Sequence, residues 1–438
     1  MQLVATGAQD LTLNKNPEIT FFQLRHRSYS NFATESIEQT VCGSAGFGKT
    51  ISCTISRNGD LINRMYVEVH LDNFVKTAAG NSLINNFGRH MIEYADIEIG
   101  GQRIDRHYGK WLHIWNELSH DKHHKAGDDR MVGNRPELTE ASKGTDVPAT
   151  SIIVPLQFWF CRHPGLALPL IALQYHEVKL QIKFAESSKL TRQWTAAGDT
   201  SAEYWKPNLA TPLPVKVGEV QIWVDYVYLD NEERRRMATG THSYLIDQLQ
   251  HSGETTIGSI TGTLSTRLNF NHPVKELVWT VNSVMNSPGV YSYPSPENIA
   301  AKTSAITTTG EDLFTAVKLN GVSPVKSATL KLNGHERFKE RDGTYFDSVQ
   351  PCQHHTNTPE NPGIHVYSFG LKPEEYQPSG TCNFSRIDNA ILSVDFVNEE
   401  GVYPKDADFF TSATLDVWAV NYNQLRIMSG MGGLTYSN

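Results

Sequence analysis

The sequence predicts an all-β chain made of two similar sandwich or barrel domains. Apolar and polar residues alternate over strand-length runs, Asn-Gly and Asp-Gly pairs punctuate those runs, and one set of motifs occurs twice in the same order.

The alternation is clearest in Val67-Glu68-Val69-His70-Leu71-Asp72, and in Val178, Leu180, Ile182 and Phe184 interleaved with Lys179, Gln181 and Lys183. It returns at Ile97/Ile99, Leu330/Leu332 and Leu392/Val394/Phe396. Successive side chains of a strand point to opposite faces, so each run reads as a strand with one side on a core. Asn58-Gly59, Asn320-Gly321, Asn333-Gly334 and Asp342-Gly343 offer the positive φ values that tight reversals need. One helix interrupts the pattern: Trp111, Ile114, Trp115 and Leu118 recur at helical spacing and form a stripe suited to packing on a sheet. Long polar segments near 120–150, 186–218, 283–312 and 341–363 read as elaborated loops between strands.

The repeat sets the domain count. Ala95-Asp-Ile-Glu-Ile-Gly-Gly-Gln resembles Ala328-Thr-Leu-Lys-Leu-Asn-Gly-His, a strand entering a glycine turn. Val220-Gln-Ile-Trp-Val-Asp-Tyr resembles Leu415-Asp-Val-Trp-Ala-Val-Asn-Tyr, and each precedes a segment containing Arg and Met, Arg234–Met237 and Arg426–Met428. Two β domains joined near residue 238 account for this order. Double-sheet jelly rolls are the favoured form, because they deal with exposed strand edges.

Composition narrows the function. With 438 residues the chain holds two or three domains, each able to bury a core. A net charge of −8 and no basic tail argue against direct, extensive nucleic-acid binding. Five scattered cysteines (Cys42, Cys53, Cys161, Cys352, Cys382) form no C-x-x-C pair, so neither a disulfide framework nor a structural zinc site is expected. The odd count suits a reducing compartment. The first residues lack a basic and apolar signal pattern, and the apolar run Leu166–Leu173 is broken by Pro169 and too short to span a bilayer, so a soluble protein made in the cytosol is expected.

Several motifs invite a chemical reading. Gly43-Ser-Ala-Gly-Phe-Gly48-Lys49-Thr50 matches the phosphate-loop pattern G-x-x-x-x-G-K-[ST]. That loop works only when a helix N-terminus follows at once, and Ile51-Ser-Cys53-Thr-Ile55 alternates like a strand. A glycine-rich inter-strand loop is therefore expected, and a nucleotide-binding protein using Gly43–Thr50 is the alternative. His107, His113, His120, His123 and His124 lie close in sequence but lack a metal-binding spacing, and are expected to be solvated loop residues. No Gly-x-Ser-x-Gly elbow is present, so no catalytic, cofactor or metal residue is nominated. Glu232-Glu233-Arg234-Arg235-Arg236 reads as an ion-paired, solvated or subunit-facing segment, and the sequon Asn383-Phe-Ser385 as unmodified. A secreted carbohydrate-binding jelly roll conflicts with the missing signal and the odd cysteine count.

Longer strings resemble the major capsid proteins of nucleocytoplasmic large double-stranded DNA viruses of the chlorella-virus, iridovirus and marseillevirus types. They are Gln2–Asp10 with Asn16-Pro17-Glu-Ile-Thr-Phe-Phe22, Ser56-Arg-Asn-Gly-Asp-Leu61, and Gly165-Leu-Ala-Leu-Pro-Leu-Ile-Ala-Leu-Gln-Tyr-His-Glu177. In the second half they are Gln377-Pro-Ser-Gly-Thr-Cys-Asn-Phe-Ser-Arg-Ile-Asp-Asn389 and Leu425-Arg-Ile-Met-Ser-Gly-Met-Gly-Gly-Leu-Thr-Tyr-Ser-Asn438. The resemblance implies an N-terminal arm (1–25) and two consecutive eight-stranded jelly-roll barrels (26–237 and 238–438), a double jelly roll with a few short helices in loops. It implies a non-enzymatic shell protein of the virion, made and assembled in the host cytoplasm without cofactors. Homotrimeric capsomers of pseudo-hexagonal outline would tile an icosahedral shell over an internal membrane, beside minor capsid and penton proteins. The arm residues Asn16, Pro17, Phe21, Phe22 and Arg25 would then contact minor capsid proteins, and the loops at 283–312 and 341–363 would face outward.

Overall fold

The computed structural model describes residues 3–76, 81–139, 146–194, 205–207, 214–257, 263–283, 291, 293–294, 321–396 and 413–437. Eight strands in the first half build two facing sheets: β1 (Phe32–Gln39), β2 (Thr50–Thr54), β3 (Leu61–Leu71), β4 (Ile92–Ile99), β5 (Gln102–Tyr108), β6 (Thr150–Pro155), β7 (Val178–Phe184) and β8 (Val217–Leu229). One sheet runs β1-β8-β3-β6 and the other β2-β7-β4-β5, all antiparallel. Eight more strands repeat the plan: β9 (His242–His251), β10 (Thr263–Arg267), β11 (Pro273–Ser283), β12 (Val325–Leu332), β13 (His335–Glu336), β14 (Ile364–Ser368), β15 (Ala390–Phe396) and β16 (Ala413–Met428). Their sheets run β9-β16-β11-β14 and β10-β15-β12-β13, so every strand of one unit has a counterpart eight places on. This is the two-sheet order of a jelly roll, twice. A last strand, β17 (Met431–Leu434), folds back on β16.

Burial follows the alternation read from sequence. In β7 and β15 every second residue is buried, and β3 does the same from Met65 onward. β16 departs from it: nine consecutive residues, Leu415–Asn423, are buried. A strand reads as a continuous run when both its faces are covered. The cover is helix α1 (Gly109–Ser119), which belongs to the first unit in sequence. Its predicted stripe, Trp111, Ile114, Trp115 and Leu118, packs against Val278, Ile364, Val366, Trp418 and Val420 on the outer face of the second barrel.

The repeated strand-turn motif is confirmed in detail. Gly100-Gly101 joins β4 to β5 with φ of 59° and 82°, and Asn333-Gly334 joins β12 to β13 with 51° and 81°. Both are two-residue reversals with two left-handed residues, the geometry that matches strand twist. The other predicted turns differ. Neither Asn58 nor Gly59 has positive φ; a Cβ at Gly59 would lie 2.7 Å from the Cβ of Tyr226, so this glycine allows close approach. Asp342-Gly343 opens a helical turn instead of a hairpin, with the Asp342 carboxylate accepting from the Thr344 N–H at 2.9 Å. Asn320 lies outside the described residues.

The polar segments also hold more structure than loops. Residues 120–150 contain a 3₁₀ turn (Lys122–His124) and helices Lys125–Met131 and Pro136–Thr139, and 341–363 contains helix Gln350–His354. Helices of one or two turns show too little apolar periodicity to be read from sequence. They are held instead by single anchors such as buried Leu138 and the Arg89–Asp128 ion pair. Within 186–218, residues 195–204 and 208–213 lie outside the described residues, as does nearly all of 283–312.

Candidate assembly surfaces

Three features outside the two barrel cores bear on function: an exposed arm, the seam between the barrels, and buried charge clusters near that seam.

The arm, residues 3–31, is exposed along nearly its whole length. Its hydrogen bonds are local, such as Gly7 N–H to Asp10 at 2.8 Å, and its helical turn Leu11–Asn14 buries nothing. Asn16, Pro17 and Arg25 are exposed, and Phe21 and Phe22 are 91% and 98% exposed. Leu3, Leu13 and Leu24 are equally bare. Scattered single apolar residues are normal on a surface, whereas a run of them marks an interaction site.

The seam joins the barrels by apolar, aromatic and polar contacts. The Leu249 N–H donates to Asp105 at 3.1 Å, and the Gln248 amide donates to the Ile104 carbonyl. Tyr175 N–H donates to the Gly430 carbonyl at 2.9 Å, so the β16–β17 turn is pinned to the first unit. Trp418 meets Trp111 with ring centres 5.9 Å apart and stacks on His251 at 3.8 Å. Asp416, fully buried on β16, accepts from Lys110 Nζ at 3.0 Å, from His251 Nε2 at 3.0 Å and from the Asn282 amide. Burial alone would raise the Asp416 carboxyl, but the His251 hydrogen bond and the Lys110 charge hold it below the usual carboxylate range.

Further along, the His355 imidazole lies 2.9 Å from Glu276 and 2.7 Å from Glu374. Burial opposes its charge, but the two carboxylates win and push it up to about 9. His90 and His113 are in contact at 3.2 Å. Burial first, then His113, hold the His90 imidazole well below its ordinary value.

The histidines of the 107–124 cluster therefore need correcting. His107, paired with Asp105 at 2.9 Å, and His113 are buried, because β5 and α1 carry them inside; His120 is half-buried, and only His123 and His124 are solvated. Among the described residues no group of three or more donors could hold a metal ion, and all five cysteines are free.

Gly43–Thr50 is followed by β2, and no helix starts there. Its backbone is already engaged, with Gly48 N–H donating to Ala185 and the Lys49 carbonyl accepting from Phe184. A phosphate cradle needs those amides free and aimed at one point. Glu232–Arg236 lies on helix α2 (Asn231–Thr239), which connects the barrels; Arg234 pairs with Asp60 at 3.0 Å. Asn383 is exposed and its side chain accepts from the Ser385 N–H, which fixes the local turn.

Residues 20–230 match the family model for the major capsid protein N-terminus, and residues 233–433 match that for the large eukaryotic DNA virus major capsid protein. The chain belongs to this family of major capsid proteins. The major capsid protein of Pyramimonas orientalis virus is 43% identical over 100% of this chain and 99% of its own length. That of Paramecium bursaria Chlorella virus 1 is 42% identical over the same shares. A crystal structure of PBCV-1 VP54 shares 39% identity and a TM-score of 0.76, covering 96% of this chain and 100% of that one. The Faustovirus major capsid protein, at 13% identity and a TM-score of 0.68, shares the fold. This major capsid protein is accordingly a structural, non-enzymatic component of the virion of a large DNA virus.

Sequence reasoning found the arm, through resemblance, but missed the seam. Lys110 carries no signal in a single sequence. Asp416 does carry one, a carboxylate inside the apolar strand Leu415-Asp-Val-Trp, where the first copy of the motif has neutral Gln221.

Proposed function

We propose that three copies of this chain close into a capsomer of pseudo-hexagonal outline, and that such capsomers tile an icosahedral shell. The carrying observation is that both halves of the chain have the same two-sheet strand order. Two equivalent barrels per chain give a trimer six similar corners, so one gene product can pack hexagonally. The working division is an arm at 1–25, a first barrel at 26–237 and a second at 238–438.

The exposed arm, with Asn16, Pro17, Phe21, Phe22 and Arg25, supports contact with minor capsid proteins under the shell, and the segment 341–363 is assigned to the outer side. Penton proteins occupy the vertices, and assembly takes place in the host cytoplasm over an internal membrane. No described helix is long and apolar enough to cross a membrane, and the net charge of −8 favours a shell that does not bind the genome directly.

The test is light scattering of the purified chain. A stable species near three times 49.0 kDa is expected, held by permanent interfaces that usually bury about 2,000–5,000 Å². A monomer that persists under assembly conditions overturns the trimer.

A further inference from the structure

The helix that links the barrels cannot set the angle between them. α2 has no buried residue; Arg234 pairs with Asp60 of the first barrel, and toward the second the Met237 carbonyl only accepts from His242, five residues further along the chain. The seam's hydrogen bonds from neutral donors, and its ion pairs Arg162–Asp247, Lys125–Glu360 and Lys110–Glu254, which are all partly exposed, can be replaced by water at modest loss. The apolar contacts of the seam bury area but are non-directional; among the described ion pairs that cross it, the one with a fully buried side chain is Lys110–Asp416.

We propose that Lys110 and Asp416 are a positioning pair: a lysine on the first unit's helix is the counter-ion of a carboxylate buried in the second barrel, and the pair holds the two barrels in one mutual orientation. The proposal rests on the fold and is independent of the trimer. Lys110 stands in the first turn of α1, where Trp111 next to it packs on Trp418, so charge and aromatic contact act at one spot. The groups facing the pair are His251 on β9 and Glu254 just beyond it, the latter 2.7 Å from Lys110. Tyr108 at the end of β5, Tyr291, Asn282 on β11 and His90 complete the surroundings.

Without Lys110, the His251 imidazole is the one group able to carry a positive charge among the described residues still bonded to Asp416. A Lys110→Met chain keeps the apolar stem and loses the ammonium. Its melting temperature is expected to lie at least about 4 °C below the parent's at neutral pH. Lys110→Arg should show little deficit, and Lys110→Met with Asp416→Asn should show a smaller deficit than Lys110→Met alone. Orientation is read separately with spin labels on the exposed Cys42 and Cys352, after replacing Cys161 and Cys382 by serine. Buried Cys53, whose thiol is pushed up to about 11, stays unlabelled. A narrow distance distribution in the parent that broadens in Lys110→Met supports the proposal. Should Lys110→Met fail to fold while the double variant folds, the unpaired carboxylate is the cause and the proposal stands. A Lys110→Met deficit no larger than that of the double variant with an unchanged narrow distance, or failure of both variants to fold, overturns it.

Discussion

His355 is charged in a place where charge is costly. Its side chain and that of Glu276 are fully buried, and the pair is tolerable because Glu374 supplies a second acceptor. The folded imidazole value, about 9, lies above the ordinary 6.5. Its stabilisation is therefore complete below pH 6.5 and is lost as pH climbs through about 9, amounting to about 3 kcal/mol at most. Calorimetry should show the parent chain losing thermal stability over that window, with the decline absent in His355→Gln combined with Glu276→Gln. Replacing His355 alone leaves Glu276 buried and unpaired, and should cost about 3–5 kcal/mol in urea unfolding at neutral pH. None of this could be read from residue order, since His355, Glu276 and Glu374 are brought together only by the closed barrel.

At the scale of elements, strands half in water were legible and strands covered on both sides were not. β3, β7 and β15 alternate because one face meets solvent or a polar loop; β16 loses the alternation because α1 lies on its outer face. The stripe of α1 was plain in the spacing of Trp111, Ile114, Trp115 and Leu118, but periodicity says that a helix has an apolar face and not which sheet receives it. The Asn333-Gly334 reversal was legible because both of its residues need positive φ. Asp342-Gly343 misled because the same residue types also start helical turns. Because Trp111 is fully buried against the other barrel, Trp111→Ala should cost about 3–5 kcal/mol. Tryptophan fluorescence should report that loss in both barrels at once; loss confined to the first would show that α1 contributes nothing to the second.

Over the whole molecule, the duplicated strand order was foreshadowed by the repeated motifs, while the way the two copies lean on each other was not. The arm is the part least tied to either copy. Removing residues 1–25 should leave the thermal midpoint unchanged, since the described residues 3–25 bury nothing in the barrels, yet should abolish recruitment of minor capsid proteins to shells; a lowered midpoint would place the arm in the fold itself. The last strands behave in the opposite way. Ile246, Leu425 and Ile427, all from the second barrel, belong to the hydrophobic cluster of the first, with Leu434 packed beside them. Chains tend to fold from the N-terminus as they leave the ribosome, so the first barrel's interior stays unsealed until residues 425–434 have been made. A product stopped before Leu425 would therefore keep greasy surface on its first barrel, a mark that distinguishes it from finished subunits before any shell begins to grow.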